Sequence, residues 1–272
     1  MKKIFLLLSI ALSGLLVNGQ SNEKYLNEVI QLTIPREGGA NGAGVAWHPL
    51  QKKYYSAIAG NISFCLSVYD INGKLLSPAE QETLFDVRGI WYNPKTKKIQ
   101  MNGYNDFGWA EYILNMRGLP SSINELHGGM NQPGEQSVGA YDFKENLVYF
   151  LNQSGRVEVY DAQTAEYIRE FSLKYSIEEG KFMDEDEETI ESTFNDEYNG
   201  TTLIYTGLMG LELGVLNHYR NRIELYSLKT GYLKRKLMLP SDAPMPDWLN
   251  FSFTNGIYFL FDKDERVWHG YK

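Results

Sequence analysis

The sequence is poor in residues that carry ready-made chemistry. Of 272 residues only one is cysteine, Cys65. That excludes a disulfide within the chain and any cysteine-based metal site. Flanked by Phe64 and Leu66, its thiol reads as a small apolar core group. The four histidines, His48, His127, His218 and His269, are scattered without metal-ligand spacing. No Gly-x-Ser-x-Gly elbow occurs, and no glycine-rich phosphate loop precedes a helix. Basic residues are outnumbered 26 to 34, for a formal net charge of −8. A general nucleic-acid binder needs a basic face and is excluded. Beyond the first 17 residues no apolar run is long enough to span a bilayer, which takes about 20 residues.

The beginning of the chain reads as an address. Lys2 and Lys3 precede an apolar stretch over residues 4–16, and Val17 and Gly19 are the small residues before a cut at Gln20. This is the pattern of a secretory signal peptide over 1–19. Residues 20–27 read as a linker. The expectation is an exported protein, periplasmic or secreted and of bacterial type, without stable membrane insertion once the leader is removed.

Aromatics make up 14% of the chain, and there are 25 glycines. Together they favour short strands joined by tight turns. The repeats say more. Gly44-Val45-Ala46-Trp47-His48-Pro49, with Lys52-Lys53 behind it, matches Gly89-Ile90-Trp91-Tyr92-Asn93-Pro94 with Lys97-Lys98 behind it, at an offset of 45 residues. At the same offset Asp70-Ile71-Asn72-Gly73 matches Asn115-Met116-Arg117-Gly118. Looser echoes follow at Gly139–Phe143, Val157–Asp161 and Ile223–Ser227. Within these pieces apolar and polar residues alternate with the period of a strand, and Asn-Gly and Thr-Gly pairs mark the turns.

A unit of about 45 residues holding four short strands is a propeller blade. The segments resemble WD40-like, NHL and YVTN-type propellers in the pattern Val-x-Val-Tyr-Asp followed by Thr or Asn and Gly. The reading is an all-β, five-bladed β-propeller over residues 28–272. Its blades fall at about 44–77, 89–122, 139–173, 192–239 and 250–272. The first blade is expected to end on an outer strand at 74–77. The fourth is expected to carry a long insertion between its second and third strands near 209–221. The fifth has three strands of its own. The alternating segment at 28–35 supplies its fourth, closing the ring between the N and C termini and removing an exposed edge.

Ligands of such folds sit at a mouth of the central channel. The loops between blades and those between second and third strands point to one mouth. There Arg88 is expected to meet an anion, Gln136, Asn195 and Asp247 to bond polar groups, and Trp248 to stack. Trp109 falls outside the repeat consensus and is a candidate platform for a sugar or peptide. Trp47, Trp91, Tyr69 and Tyr160 recur at repeat positions and read as packing between blades. No organic cofactor is implied. The acidic run at 178–200 holds ten acids and one base. It reads as a solvated connection, with Ca²⁺ at Asp184, Asp186 and Glu188 as the metal alternative.

The functional expectation is a non-enzymatic binding module for a glycan, a peptide or an envelope protein. The alternative is a glycoside hydrolase, in which Asp142 would pair with Asp196 or Glu197 as acid and base.

Overall fold

A computed structural model describes residues 22–178, 194 and 197–272. The expected leader at 1–19, Asn195, Asp196 and the acids Asp184, Asp186 and Glu188 lie outside the described residues.

Two strands, β1 (Glu23–Tyr25) and β2 (Glu28–Thr33), precede the first repeat. The first blade holds β3 (Asn41–His48), β4 (Lys53–Ala59) and β5 (Leu66–Tyr69). The second holds β6 (Val87–Asn93), β7 (Lys98–Gly103), β8 (Trp109–Leu114) and β9 (Pro120–His127). The third holds β10 (Ala140–Asp142), β11 (Leu147–Leu151), β12 (Arg156–Asp161) and β13 (Tyr167–Ser172). After β14 (Lys174–Glu178) the fourth holds β15 (Tyr198–Tyr205), β16 (Leu213–Asn217), β17 (Arg222–Tyr226) and β18 (Tyr232–Met238). The fifth holds β19 (Phe251–Thr254), β20 (Ile257–Asp262) and β21 (Val267–Tyr271).

Each group of strands forms its own antiparallel sheet, five in all. The inner strands touch in a closed cycle, β3 to β6, β10, β15, β19 and back to β3. Each gap between neighbouring sheets is filled by a separate cluster of buried side chains. This is a five-bladed β-propeller. β2 pairs antiparallel with β21, placing Leu32 opposite Trp268, and so completes the fifth blade from the N-terminal side.

The repeat glycines have a steric reason. A Cβ on Gly89 would lie 2.6 Å from the backbone nitrogen of Gly139, and one on Gly44 would lie 3.2 Å from Ile90 Cγ2. Inner strands of adjacent blades converge there, and a side chain would hold them apart.

Four expectations are corrected. The segment at 74–77 is not a regular strand: Tyr69 and Leu75 form only an isolated bridge, and the Ser77 hydroxyl accepts from Val68 N–H in place of a ladder partner. Pro78, which has no N–H, follows directly. Residues 209–221 are not an insertion, because they contain β16, the second strand of the fourth blade. The sequence Leu-Gly-Val-Leu-Asn is buried on both faces and sets no polar residue between its apolar ones. The linker at 20–27 contains β1, which runs parallel to β18 on the outer edge of the fourth blade. The second blade reaches His127 rather than 122.

Candidate functional site

The channel has two ends of opposite character. The inner strands all run the same way along the axis. They begin at a face built from the inter-blade connections and the second-to-third-strand turns, called here the connection face. They finish at a face built from the first hairpin of each blade, the hairpin face.

The connection face holds the mouth expected from the sequence, and a polar cavity of about 950 Å³ lies there. Gln136, Asp247 and Trp248 line it, together with Glu135, Asn152, Tyr198 and Thr201. Trp248 is 44% exposed, a large ring open to solvent. Arg88 is not on the wall. It is buried, paired with Asp86, and stacked with its guanidinium 4.6 Å from the Tyr104 ring centroid. Its Nε donates to Gln136 Oε1 at 2.6 Å. Asp86 neutralises its charge, so Arg88 positions Gln136 rather than offering a cation to an anion.

Trp109 is also a correction. It opens β8, is 1% exposed, and packs edge-on against Trp91 at 6.0 Å between centroids and beside Phe150 at 6.1 Å. It belongs to the core between the second and third blades and offers no platform.

Of the two expected acid pairs, the one between Asp142 and Glu197 is not assembled, and Asp196 lies outside the described residues. Asp142 ends β10, at the hairpin face, and Glu197 directly precedes β15, at the connection face. Val138 bridges to Thr202 in parallel register. From that level Asp142 and Glu197 lie in opposite directions, toward opposite ends of the channel. Asp142 instead caps a turn, accepting from Lys144 N–H at 2.8 Å and Glu145 N–H at 3.1 Å. Asn93 Oδ1 does the same for Lys95 and Thr96, and His48 Nδ1 accepts from Gln51 N–H. The three residues hold equivalent places at the ends of their inner strands. Glu197 is paired with Arg220 at 3.0 Å and accepts from Asn217 at 3.0 Å.

The hairpin face holds a cavity of about 690 Å³ that the sequence reading missed. Every blade contributes to it. Trp47 comes from the first blade, Trp91 and Tyr92 from the second, Tyr141 and Phe143 from the third, Tyr205 from the fourth, Phe253 and Tyr258 from the fifth. The rings form a belt: Trp91 stacks on Tyr141 at 6.1 Å, Phe143 meets Tyr205 edge-on at 5.7 Å, and Phe253 tilts against Tyr258 at 4.7 Å. Thr206, Asn255, Lys24 and Lys272 supply polar groups. No carboxylate or imidazole lines this cup among the described residues. Burial pushes the Tyr141 and Tyr258 hydroxyls up to about 12. They therefore stay neutral at ordinary pH, able to donate or accept.

The repeat held the signal for this cup. Val45 and Ile90, Trp47 and Tyr92, and Pro49 and Pro94 are matched pairs at the 45-residue offset, and all six line it. Trp47 and Trp91 were expected in the packing between blades. Trp91 is buried, yet both also face the cup. Tyr69 and Tyr160 are buried core residues, as expected. Below the cup floor the channel narrows to a pocket of about 70 Å³ lined by Gly44, Gly139, Thr202 and Ser252.

No protein-family model matches the sequence, and no curated protein matches it. Among solved structures, the crystal structure of Myxococcus xanthus glutaminyl cyclase aligns over 92% of this chain and 97% of that chain, with a TM-score of 0.54 and 7% identity. A crystal structure of a nidogen/laminin complex aligns over 76% of this chain and 67% of that chain, with a TM-score of 0.43 and 14% identity. At 7% identity the first likeness supports the propeller fold and not an activity.

Proposed function

We propose that this protein is a non-enzymatic binding module that takes its ligand into the aromatic cup of the hairpin face. The observation that carries this reading is the ring of eight aromatic side chains, drawn from all five blades, around one cavity. Its size lies within the roughly 300–1,000 Å³ of small-ligand sites, and such sites combine apolar walls with a few polar groups. Rings at this spacing suit ligands with flat or apolar faces: a sugar ring of a glycan, or the aromatic and aliphatic side chains of a peptide. Thr206, Asn255 and the two lysines would orient them. The hydrolase alternative lacks an assembled pair among the described residues: no acid of theirs lines the cup, and Asp142 and Glu197 stand at opposite ends of the channel.

We place the protein outside the cytoplasm on the strength of its leader pattern at 1–19. No described helix is long and apolar enough to cross a membrane.

The test is a glycan and peptide screen by thermal shift, followed by calorimetry on the best hit. A ligand of the cup stabilises the native state by mass action, and its Kd should rise at least tenfold in Trp47→Ala and Tyr92→Ala. Trp248→Ala, on the opposite face, should leave it unchanged. Binding lost in Trp248→Ala and retained in the cup variants would move the site to the polar mouth and overturn the proposal.

A further inference from the structure

The closure between the fifth blade and β2 carries a cluster that neither mouth uses. Asp262 ends β20, Glu265 sits in the following turn, and His269 lies on β21. One ligand atom from each falls within 4.8 Å of the others. Two further observations separate this cluster from an ordinary surface group of acids. First, His269 Nδ1 meets Glu28 Oε1 at 2.8 Å, and Glu28 is the first residue of β2. A carboxylate only accepts, so Nδ1 is the donor in that contact and Nε2 is the nitrogen left for another partner. Second, His269 Nε2 is buried and has no hydrogen-bond partner. Glu265 Oε2 stands 3.6 Å from it, too far for a hydrogen bond.

A carboxylate on one imidazole nitrogen, with the other nitrogen unpartnered and two more carboxylates close by, is the arrangement that orients a metal-ligating histidine. Asp262 Oδ1 accepts from Asp264 N–H at 2.8 Å and Glu265 N–H at 2.9 Å, which fixes the turn that presents Glu265. The nearby cation does not compete. Arg266 points its guanidinium away, donating to the carbonyls of Arg36, Gly38 and Gly39.

We propose that Asp262, Glu265 and His269 form a site for a borderline divalent cation of the Zn²⁺ class, with Glu28 as the group that orients His269. One nitrogen and two carboxylate donors, with water completing the shell, suit Zn²⁺. Ca²⁺ takes six to eight oxygens, more than the cluster supplies. Because Glu28 belongs to β2 and the three ligands to β20, β21 and their turn, the ion would clip the N-terminal strand to the C-terminal ones. This proposal is independent of the cup.

The experiment uses the full-length chain after treatment with a chelator. Calorimetric titration with ZnCl₂ should show one equivalent bound, and thermal unfolding should move up by several degrees. Co²⁺ substitution should give a visible d–d absorption. Glu265→Gln, in an exposed turn and harmless to the fold, and His269→Gln should both abolish these signals. Glu28→Gln should raise the Kd about 10–100-fold, the usual effect of losing an orienting partner. His127→Asn and His218→Asn should change nothing. No binding of Zn²⁺ or Co²⁺, or binding that survives Glu265→Gln and His269→Gln, overturns the proposal.

Discussion

Ser252 Oγ serves both backbone groups of Val45, accepting from its N–H at 3.0 Å and donating to its carbonyl at 3.1 Å. One hydroxyl on β19 thus stitches the last inner strand to the first. Two other side chains extend the seam: Thr254 Oγ1, on β19, accepts from Trp47 N–H at 3.0 Å, and Asn250 Oδ1, just before β19, accepts from Gly42 N–H at 2.6 Å. Ser252 and Thr254 are spaced by two, so the strand period turns both toward β3, while Asn250 reaches Gly42 from the left-handed turn before β19. Ser252→Ala leaves a buried N–H and carbonyl short of a partner, at about 1–3 kcal/mol. Urea denaturation should show a lower midpoint at an unchanged slope. A midpoint equal to that of the wild type would mean that the seam is held by side-chain packing alone.

Leu32 tests the same closure from its apolar side. It is fully buried on β2, opposite Trp268, in the cluster between the fifth and first blades. Leu32→Ala should cost about 2–5 kcal/mol, the range for deleting a core leucine. For a chain of this size that lowers Tm by roughly 2–4 °C per kcal/mol. A shift under one degree would show that the ring holds without its N-terminal strand.

Gly89 tests the convergence of inner strands. A Cβ there would meet Gly139 N at 2.6 Å and Asn102 Oδ1 at 2.5 Å. The first of these is backbone and cannot swing away, so β6 and β10 must separate. Gly89→Ala should destabilise by about 1–3 kcal/mol through overpacking. Gly200→Ala is the control, since a Cβ there has nothing within 4 Å, and it should stay within about 0.5 kcal/mol of wild type. Equal stability of the two variants would remove the steric account of the repeat glycines.

The blades were legible because strands such as β12, Arg-Val-Glu-Val-Tyr-Asp, alternate apolar and polar residues in sequence, with burial to match. The closing strand was legible for the same reason, with Leu32 buried between exposed neighbours. β16 was not, because Leu-Gly-Val-Leu-Asn sets no polar residue between its apolar ones, unlike the equally buried Arg-Ile-Glu-Leu-Tyr of β17. β1 was not, because Glu-Lys-Tyr is exposed throughout and pairs only along an edge. The end of the channel that carries the candidate site was the harder question. Strand period places a residue on one face of a blade and does not say which end of the channel it approaches. Polar loop residues drew attention to the connection face, while the matched aromatics near the strand ends built the cup at the other. Trp109 misled for a related reason. A tryptophan outside a repeat consensus is conspicuous in sequence, yet the space between Trp91 and Phe150 needed one large ring.

His48 links a turn-capping position to acid sensitivity. It is buried at the end of β3, with its ring 4.7 Å from that of Tyr92. Burial disfavours the imidazolium and holds its pKa below the ordinary 6.5, with the Lys53 charge adding to the effect and backbone hydrogen bonds opposing it. Above pH 6.5 neither the folded nor the unfolded chain carries the proton, and stability is unaffected by this group. As pH falls below 6.5 the unfolded chain takes up the proton first. Stability is then lost until the folded chain titrates as well, at which point the loss levels off. The second blade has Asn93 in the equivalent place, capping the same turn without a titratable group. His48→Asn should therefore keep the turn and reduce the fall in Tm between pH 7.5 and pH 5.5, measured by calorimetry at constant ionic strength. Parallel pH profiles for the variant and the wild type would assign the acid sensitivity to other groups.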